Sequence, residues 1–494
     1  MFESAELGHR VSREVYRRRE PVLRAELLEA QRELKAQARF PVLIVIGGVD
    51  GAGKGETVNL LNAWMDPRHI RTHAFPAPSD EERERPRMWR YWRALPPRGT
   101  LGILFGAWHT DPIVERVARS IDGDDFGRRI DEVLRFEQML VDEGVLLLKY
   151  WFHLSRRDQK ARLESLSADR LTRWRVTRED WARFAQYDRF RKVSGEFLRR
   201  TSTAGAPWQV VEGLDPAYRS LTVGESLLAA LRDRLARPSP VAPPRGPAPV
   251  RSIDRRNLLD TLHLRQPLGR EDYAVELERW QGRLARLSRE PRMRRRAVVA
   301  VFEGHDAAGK GGAIRRTTAA LDARQYAVVP VAAPTEEELA QPYLWRFWRH
   351  VPRRGRFALF DRSWYGRVLV ERVEGLCAAP DWMRAYSEIN DFEAELSAHG
   401  IVVVKFWLAI GRDEQLRRFR ERERVPFKNH KITPEDWRNR RRWSAYADAV
   451  CDMVDRTSTD LSPWTLVEAD NKLYARVKVL RTLCERVEAA IAAG

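Results

Sequence analysis

The sequence predicts an α/β protein made of two tandem copies of one domain, each a mainly parallel sheet covered by helices. Three observations predict it: a glycine-rich octapeptide occurs twice, each occurrence sits between a strand-like apolar run and a helix-compatible stretch, and the two halves hold one register. The octapeptides are Gly48-Val49-Asp50-Gly51-Ala52-Gly53-Lys54-Gly55 and Gly304-His305-Asp306-Ala307-Ala308-Gly309-Lys310-Gly311, so the offset is 304 − 48 = 256 residues. The preceding runs, Val42–Ile46 and Ala297–Phe302, read as buried strands. Strand, glycine loop and helix together form a phosphate cradle. Glycines let the backbone approach an anion, the helix N-terminus turns N–H groups toward it, and the lysine adds positive charge. Each half is therefore expected to be P-loop NTPase-like and to take polyphosphorylated ligands.

The register extends far beyond the loops. Residues 334–355 align without a gap on 78–99, and Glu371-Arg372-Val373 on Glu115-Arg116-Val117. Phe392-Glu393, Lys405, Glu435-Asp436-Trp437 and Thr457-Ser458-Thr459 match Phe136-Glu137, Lys149, Glu179-Asp180-Trp181 and Thr201-Ser202-Thr203. Solenoid repeats run roughly 20–50 residues, so this period means two whole domains. With 494 residues and 43% apolar content, each copy can bury a core. The proline-rich stretch 237–251 cannot sustain helix or sheet and reads as a semi-rigid linker, which places the domains at 1–236 and 252–494.

Three cysteines without ligand spacing, no run of transmembrane length, and an amino terminus lacking the apolar core of a signal peptide lead to a cytoplasmic expectation. A formal charge of +18 implies a polyanionic partner: nucleic acid, an acidic membrane surface or inorganic polyphosphate. Its sign alone does not choose among them.

In the second copy, the segment Arg356–Asp361 puts a carboxylate at the carboxyl end of an apolar strand, where α/β sheets build their ligand crevice. Asp361 reads as a metal-holding acid, and the following Arg362-Ser363-Trp364-Tyr365-Gly366-Arg367 adds two guanidinium groups suited to phosphate. Gly311 stands where a serine or threonine hydroxyl would ordinarily hold Mg²⁺, so Asp306 is read as its substitute and as Asp361's partner in metal binding. Arg417, Arg418, Arg420, Arg422, Arg424, Lys428 and Lys431 crowd a polar, helix-prone stretch that reads as a basic helical lid. His305 and His109 read as local packing or solvent-facing groups, having no second ligand at metal spacing.

The loop at Gly304, the box Asp361–Arg367 and the basic stretch together resemble the polyphosphate kinase 2 family, over roughly 268–487 and more weakly over the first half. The tandem layout resembles its two-domain branch. The resemblance implies phosphoryl transfer from inorganic polyphosphate to AMP, giving ADP, with Mg²⁺ (or Mn²⁺) as cofactor. It implies polyphosphate and AMP or ADP as partners, not nucleic acid or membrane, and leaves room for homo-oligomers through the α/β domains. Carried over, Asp306, Lys310, Asp361, Arg362 and Arg367 would be catalytic, with Asp306 and Asp361 as metal ligands. Gly304, Gly309, Gly311, Gly312, Arg418, Arg422, Lys428 and Lys431 would bind phosphates or the polyphosphate chain, and Arg362, Tyr365 and Arg367 the nucleotide. Gly366 departs from the asparagine the family often has there.

At the fixed offset the first copy has Phe105 for Asp361, Gly106 for Arg362, Ala107 for Ser363, His109 for Tyr365 and Asp111 for Arg367, so it is expected to be degenerate and non-catalytic. Rival readings are a polyphosphate-dependent ADP or GDP kinase, an ATP-using nucleoside monophosphate or small-molecule kinase, and a non-catalytic polyanion binder.

Overall fold

The computed structural model describes residues 1–237 and 257–493, with the side chains of Lys428, His430 and Lys431 outside that set. Beyond Arg237, the expected linker also lies outside the described residues. Two compact units form, one on each repeat; Ser79–Trp89 belongs with the second and Glu336–Pro342 with the first.

In the first unit, β1 (Val42–Gly48), β2 (Ile70–Ala74), β3 (Leu101–Phe105), β4 (Leu146–His153) and β5 (Trp208–Glu212) form a sheet in the order β2-β3-β1-β4-β5. All its pairs are parallel. The second unit repeats this with β6 (Ala297–Gly304), β7 (Tyr326–Pro330), β8 (Phe357–Asp361), β9 (Ile401–Ala409) and β10 (Trp464–Glu468), in the order β7-β8-β6-β9-β10 and again wholly parallel. Val298, Val299 and Val301 make β6 a continuous apolar run because helices cover both faces of a parallel sheet. The helix Arg270–Leu287 packs on the carboxyl-terminal helix Lys472–Ala492, where Leu284, Leu480 and Leu483 meet Val298 and Ala300 of the sheet in one core. The helices Arg13–Gln37 and Pro216–Ala236 do the same in the first unit.

The recurring residues of the register are mostly structural. Lys405 and Glu393 are a fully buried pair at 2.7 Å, and Lys405 also donates to the Thr457 carbonyl at 2.7 Å. Trp464 Nε1 donates to the Thr457 hydroxyl, and its backbone N–H to Ser458. Lys149, Glu137, Thr201, Ser202 and Trp208 repeat this network in the first unit. Asp436 and Asp180 close capping boxes with Thr433 and Thr177 at the starts of the helices Pro434–Arg441 and Arg178–Phe184. Among the described residues no helix is long and apolar enough to cross a membrane.

Candidate active site

In the second unit, the register that pairs Phe302 with Asp361 brings the ends of β6 and β8 side by side. The phosphate loop springs from β6 and feeds the helix Lys310–Thr318, capped by Gly309 at φ 113°. Gly304 is required by close approach as well as by its φ of 149°, since a Cβ there would lie 2.5 Å from the Leu408 carbonyl oxygen. Lys310 Nζ curls back onto the loop, donating to the carbonyls of Gly304 (2.7 Å) and His305 (3.3 Å). Burial lowers its pKa and Arg362 adds to this, against the opposing charges of Asp306, Asp361 and Glu303.

Arg362 holds a left-handed backbone, φ 64°, and its guanidinium lies 3.2 Å from Asp306 Oδ1. A non-glycine residue in that conformation costs on the order of 1–3 kcal/mol. Burial would lower the Arg362 pKa, yet it is raised because Asp306, Glu303 and Asp361 surround it. Asn439 Nδ2 donates to the other Asp306 oxygen at 2.8 Å. Glu303 is buried behind the loop, accepts from the Ser363 hydroxyl at 2.8 Å, and has its pKa raised by burial.

The Asp361 carboxylate has no hydrogen-bond donor among the described residues, and a Cβ on Gly311 would sit 4.0 Å from its Oδ2. No group of three or more histidine, cysteine or acidic side chains suited to a metal ion occurs among the described residues. Two hard carboxylates beside a phosphate loop nevertheless suit Mg²⁺, which is commonly held by one or two carboxylates plus phosphates and waters. The donor set fits the ion.

Thus Asp306, Lys310, Asp361 and Arg362 come together, with Gly309 and Gly311 at the helix start and Arg476 approaching Gly312. Arg367 instead pairs with Glu371 at 3.0 Å and lies over the Tyr343 ring. Arg422 acts on Asp436, which in turn feels Asp306. The side chains of Lys428 and Lys431, expected to bind polyphosphate, lie outside the described set. Two expectations are corrected. Tyr365 is fully buried, its hydroxyl donating to Glu393 (2.7 Å) and accepting from Lys405 (2.8 Å), so it braces the core and does not face a nucleotide. Arg418 is also buried, and it donates to the carbonyls of Ala307, Ala308, Ala469 and Asp470 and to Glu414, so it staples the phosphate loop and has no donor left for polyphosphate. Arg418→Ala is expected to lower stability by about 2–3 kcal/mol through those orphaned carbonyls, read by thermal unfolding, and lysine should not rescue a fork-shaped contact.

Glu303 and Asn439 are site residues that sequence reasoning missed. Glu303 had a signal: it is the one acid in the run Ala297–Gly304, opposite Gly47 in the first copy. Asn439 had none, being brought to Asp306 only by the fold.

The profile of the family described as polyphosphate kinase 2 (PPK2) matches residues 10–238 and 267–493. The chain belongs to the polyphosphate kinase 2 family. It is similar to a polyphosphate:AMP phosphotransferase of Pseudomonas aeruginosa, 58% identical over 491 residues and covering 99% of each chain. The protein of the same name from Pseudomonas syringae pv. tomato is 54% identical over 494 residues, covering 100% of this chain and 99% of that one. A crystal structure from P. aeruginosa PA01 assigned to polyphosphate kinase 2 superposes with a TM-score of 0.91 at 56% identity, covering 100% of both chains.

The first polyphosphate kinase 2 repeat keeps the backbone and changes the charges. Gly51 (φ 80°) and Gly106 (φ 72°) occupy the left-handed positions that Ala307 and Arg362 hold in the second. Asp50 is bound by Arg183 at 2.7 Å and Lys54 at 3.4 Å, Arg183 standing where Asn439 stands. Arg219, from another helix, takes over the Arg418 staple by donating to the Ala52 and Gly213 carbonyls. His109 occupies the space of Glu303, since a Cβ on Gly47 would lie 2.6 Å from His109 Nε2.

Proposed function

We propose that this chain transfers a phosphoryl group from inorganic polyphosphate to AMP, forming ADP, and that the second repeat alone performs the transfer. The observation that carries this reading is Asp361: a carboxylate without a hydrogen-bond donor among the described residues, beside Lys310, Asp306 and Arg362, found in the second copy and replaced by Phe105 in the first. Its support from outside the site is the near full-length similarity to two polyphosphate:AMP phosphotransferases.

Asp306 and Asp361 would hold Mg²⁺, or Mn²⁺ in its place, which supplies charge neutralisation to the phosphates. Lys310 and the N–H groups at the start of its helix bind and orient the phosphates in transfer. Arg362, fixed against Asp306, faces the charge that develops there. No general base is required, because a phosphate monoester with a second pKa near ~6 is already largely dianionic at neutral pH. The stretch Arg412–Lys431 acts as a basic lid: Arg417, Arg420, Arg422 and Arg424 follow the polyanion by its repeating charge, as basic grooves follow nucleic-acid backbones. Arg367, paired with Glu371 through Nε, serves this reading by binding the acceptor phosphate.

Incubation with polyphosphate, Mg²⁺ and AMP should give ADP. ATP made from ADP in preference, or ATP serving equally well as donor, would contradict the proposal. Arg362→Gly, which copies Gly106, should lower turnover about a hundredfold. Its thermal midpoint should not fall, because glycine relieves the left-handed strain.

A further inference from the structure

The first repeat encloses a cavity of about 470 Å³ at its phosphate loop, within the size range of small-molecule sites. Lys54, Asp50 and Arg183 line one part of it, two cations against one carboxylate, at the start of the helix Lys54–Trp64. Phe75, Phe105, Ile113, Val114, Trp151 and Phe190 supply apolar and aromatic walls. His109, Trp151 and Gln159, each more than nine-tenths buried, complete the lining. Burial pushes the His109 pKa down to about 3, so its imidazole is neutral.

The cavity owes its character to the residues that depart from the second repeat. Phe105 and Gly106 replace Asp361 and Arg362, and Ala118 replaces Glu374, which removes charge. His109 replaces Tyr365, whose hydroxyl is absorbed by the Lys405 pair, so an imidazole lines the cavity here. The cationic phosphate end is retained while the transfer machinery is gone.

We propose that this cavity is a second nucleotide site, taking a nucleoside monophosphate, AMP in particular, without turning it over. The phosphate lies toward Lys54 and Arg183, and the purine lies among the aromatic walls. The choice of AMP rests on the acceptor proposed above.

The test is photolabelling of the full chain with 8-azido-AMP and Mg²⁺ in the absence of polyphosphate, followed by peptide mapping. Labelled peptides are expected in both repeats, and excess AMP should protect the first-repeat label at least tenfold while equimolar inorganic phosphate does not. Val114→Trp, which fills the cavity from its exposed rim, and separately Lys54→Met should each cut the first-repeat label about tenfold, the second-repeat label serving as internal control. Label in the second repeat alone overturns the inference and leaves the AMP reading standing, whereas label in neither repeat defeats both. Equal protection by phosphate, or first-repeat label indifferent to both substitutions, also overturns it.

Discussion

Asp361→Asn is expected to reduce ADP formation by about 10³-fold, or about 4 kcal/mol of transition-state stabilisation, with the fold intact. Asparagine keeps the shape and removes the charge. Because the Asp361 carboxylate is bound by no donor among the described residues, its loss disturbs no packing network and should leave the thermal midpoint within about 2 °C. Steady-state assays at saturating Mg²⁺, polyphosphate and AMP check the first part, and thermal unfolding the second. An acid that served only to fold the sheet edge would show the opposite pattern.

Glu393→Gln should do the reverse, lowering stability by about 3–5 kcal/mol. Glu393 accepts from Lys405, Tyr365, Trp364 and Ser462, all in the interior of the second unit. Glutamine removes the one full negative charge that balances Lys405, whose pKa burial already lowers, and leaves a buried ammonium facing only neutral oxygens. The thermal midpoint of that unit should fall by about 10 °C, measured by calorimetry on the full chain. Glu137→Gln should have a similar effect in the first unit, where Lys149 has the same partner but a histidine in place of the tyrosine.

These two acids show what was legible in the sequence. The place of Asp361, at a strand end next to a glycine loop, could be read because strand, loop and acid all lie in local sequence. Asp306, Lys310 and Arg362 followed from the same logic. Glu393 and Lys405 were visible as recurring residues, but recurrence does not say whether a position packs or reacts. Tyr365 and Arg418 were misread for a related reason: a box motif or a basic run does not reveal which way each side chain turns. Tyr365 turns inward to the buried lysine, and Arg418 turns onto the loop it holds. Asn439 and Arg183 act on residues 133 positions earlier in the chain, a proximity that only the sheet order and the covering helices create. The parallel sheets were legible because apolar β-branched runs alternate with helix-compatible stretches, a pattern that few folds accept.

The central claim, that the second repeat performs the transfer without catalytic help from the first, is tested most directly by ADP formation in full-length Lys310→Met. A loss of at least about 10³-fold is expected although Lys54 and the whole first repeat remain in place. Retention of more than about a tenth of the original turnover would contradict it, because another group would then be doing the work assigned to Lys310 and its acids.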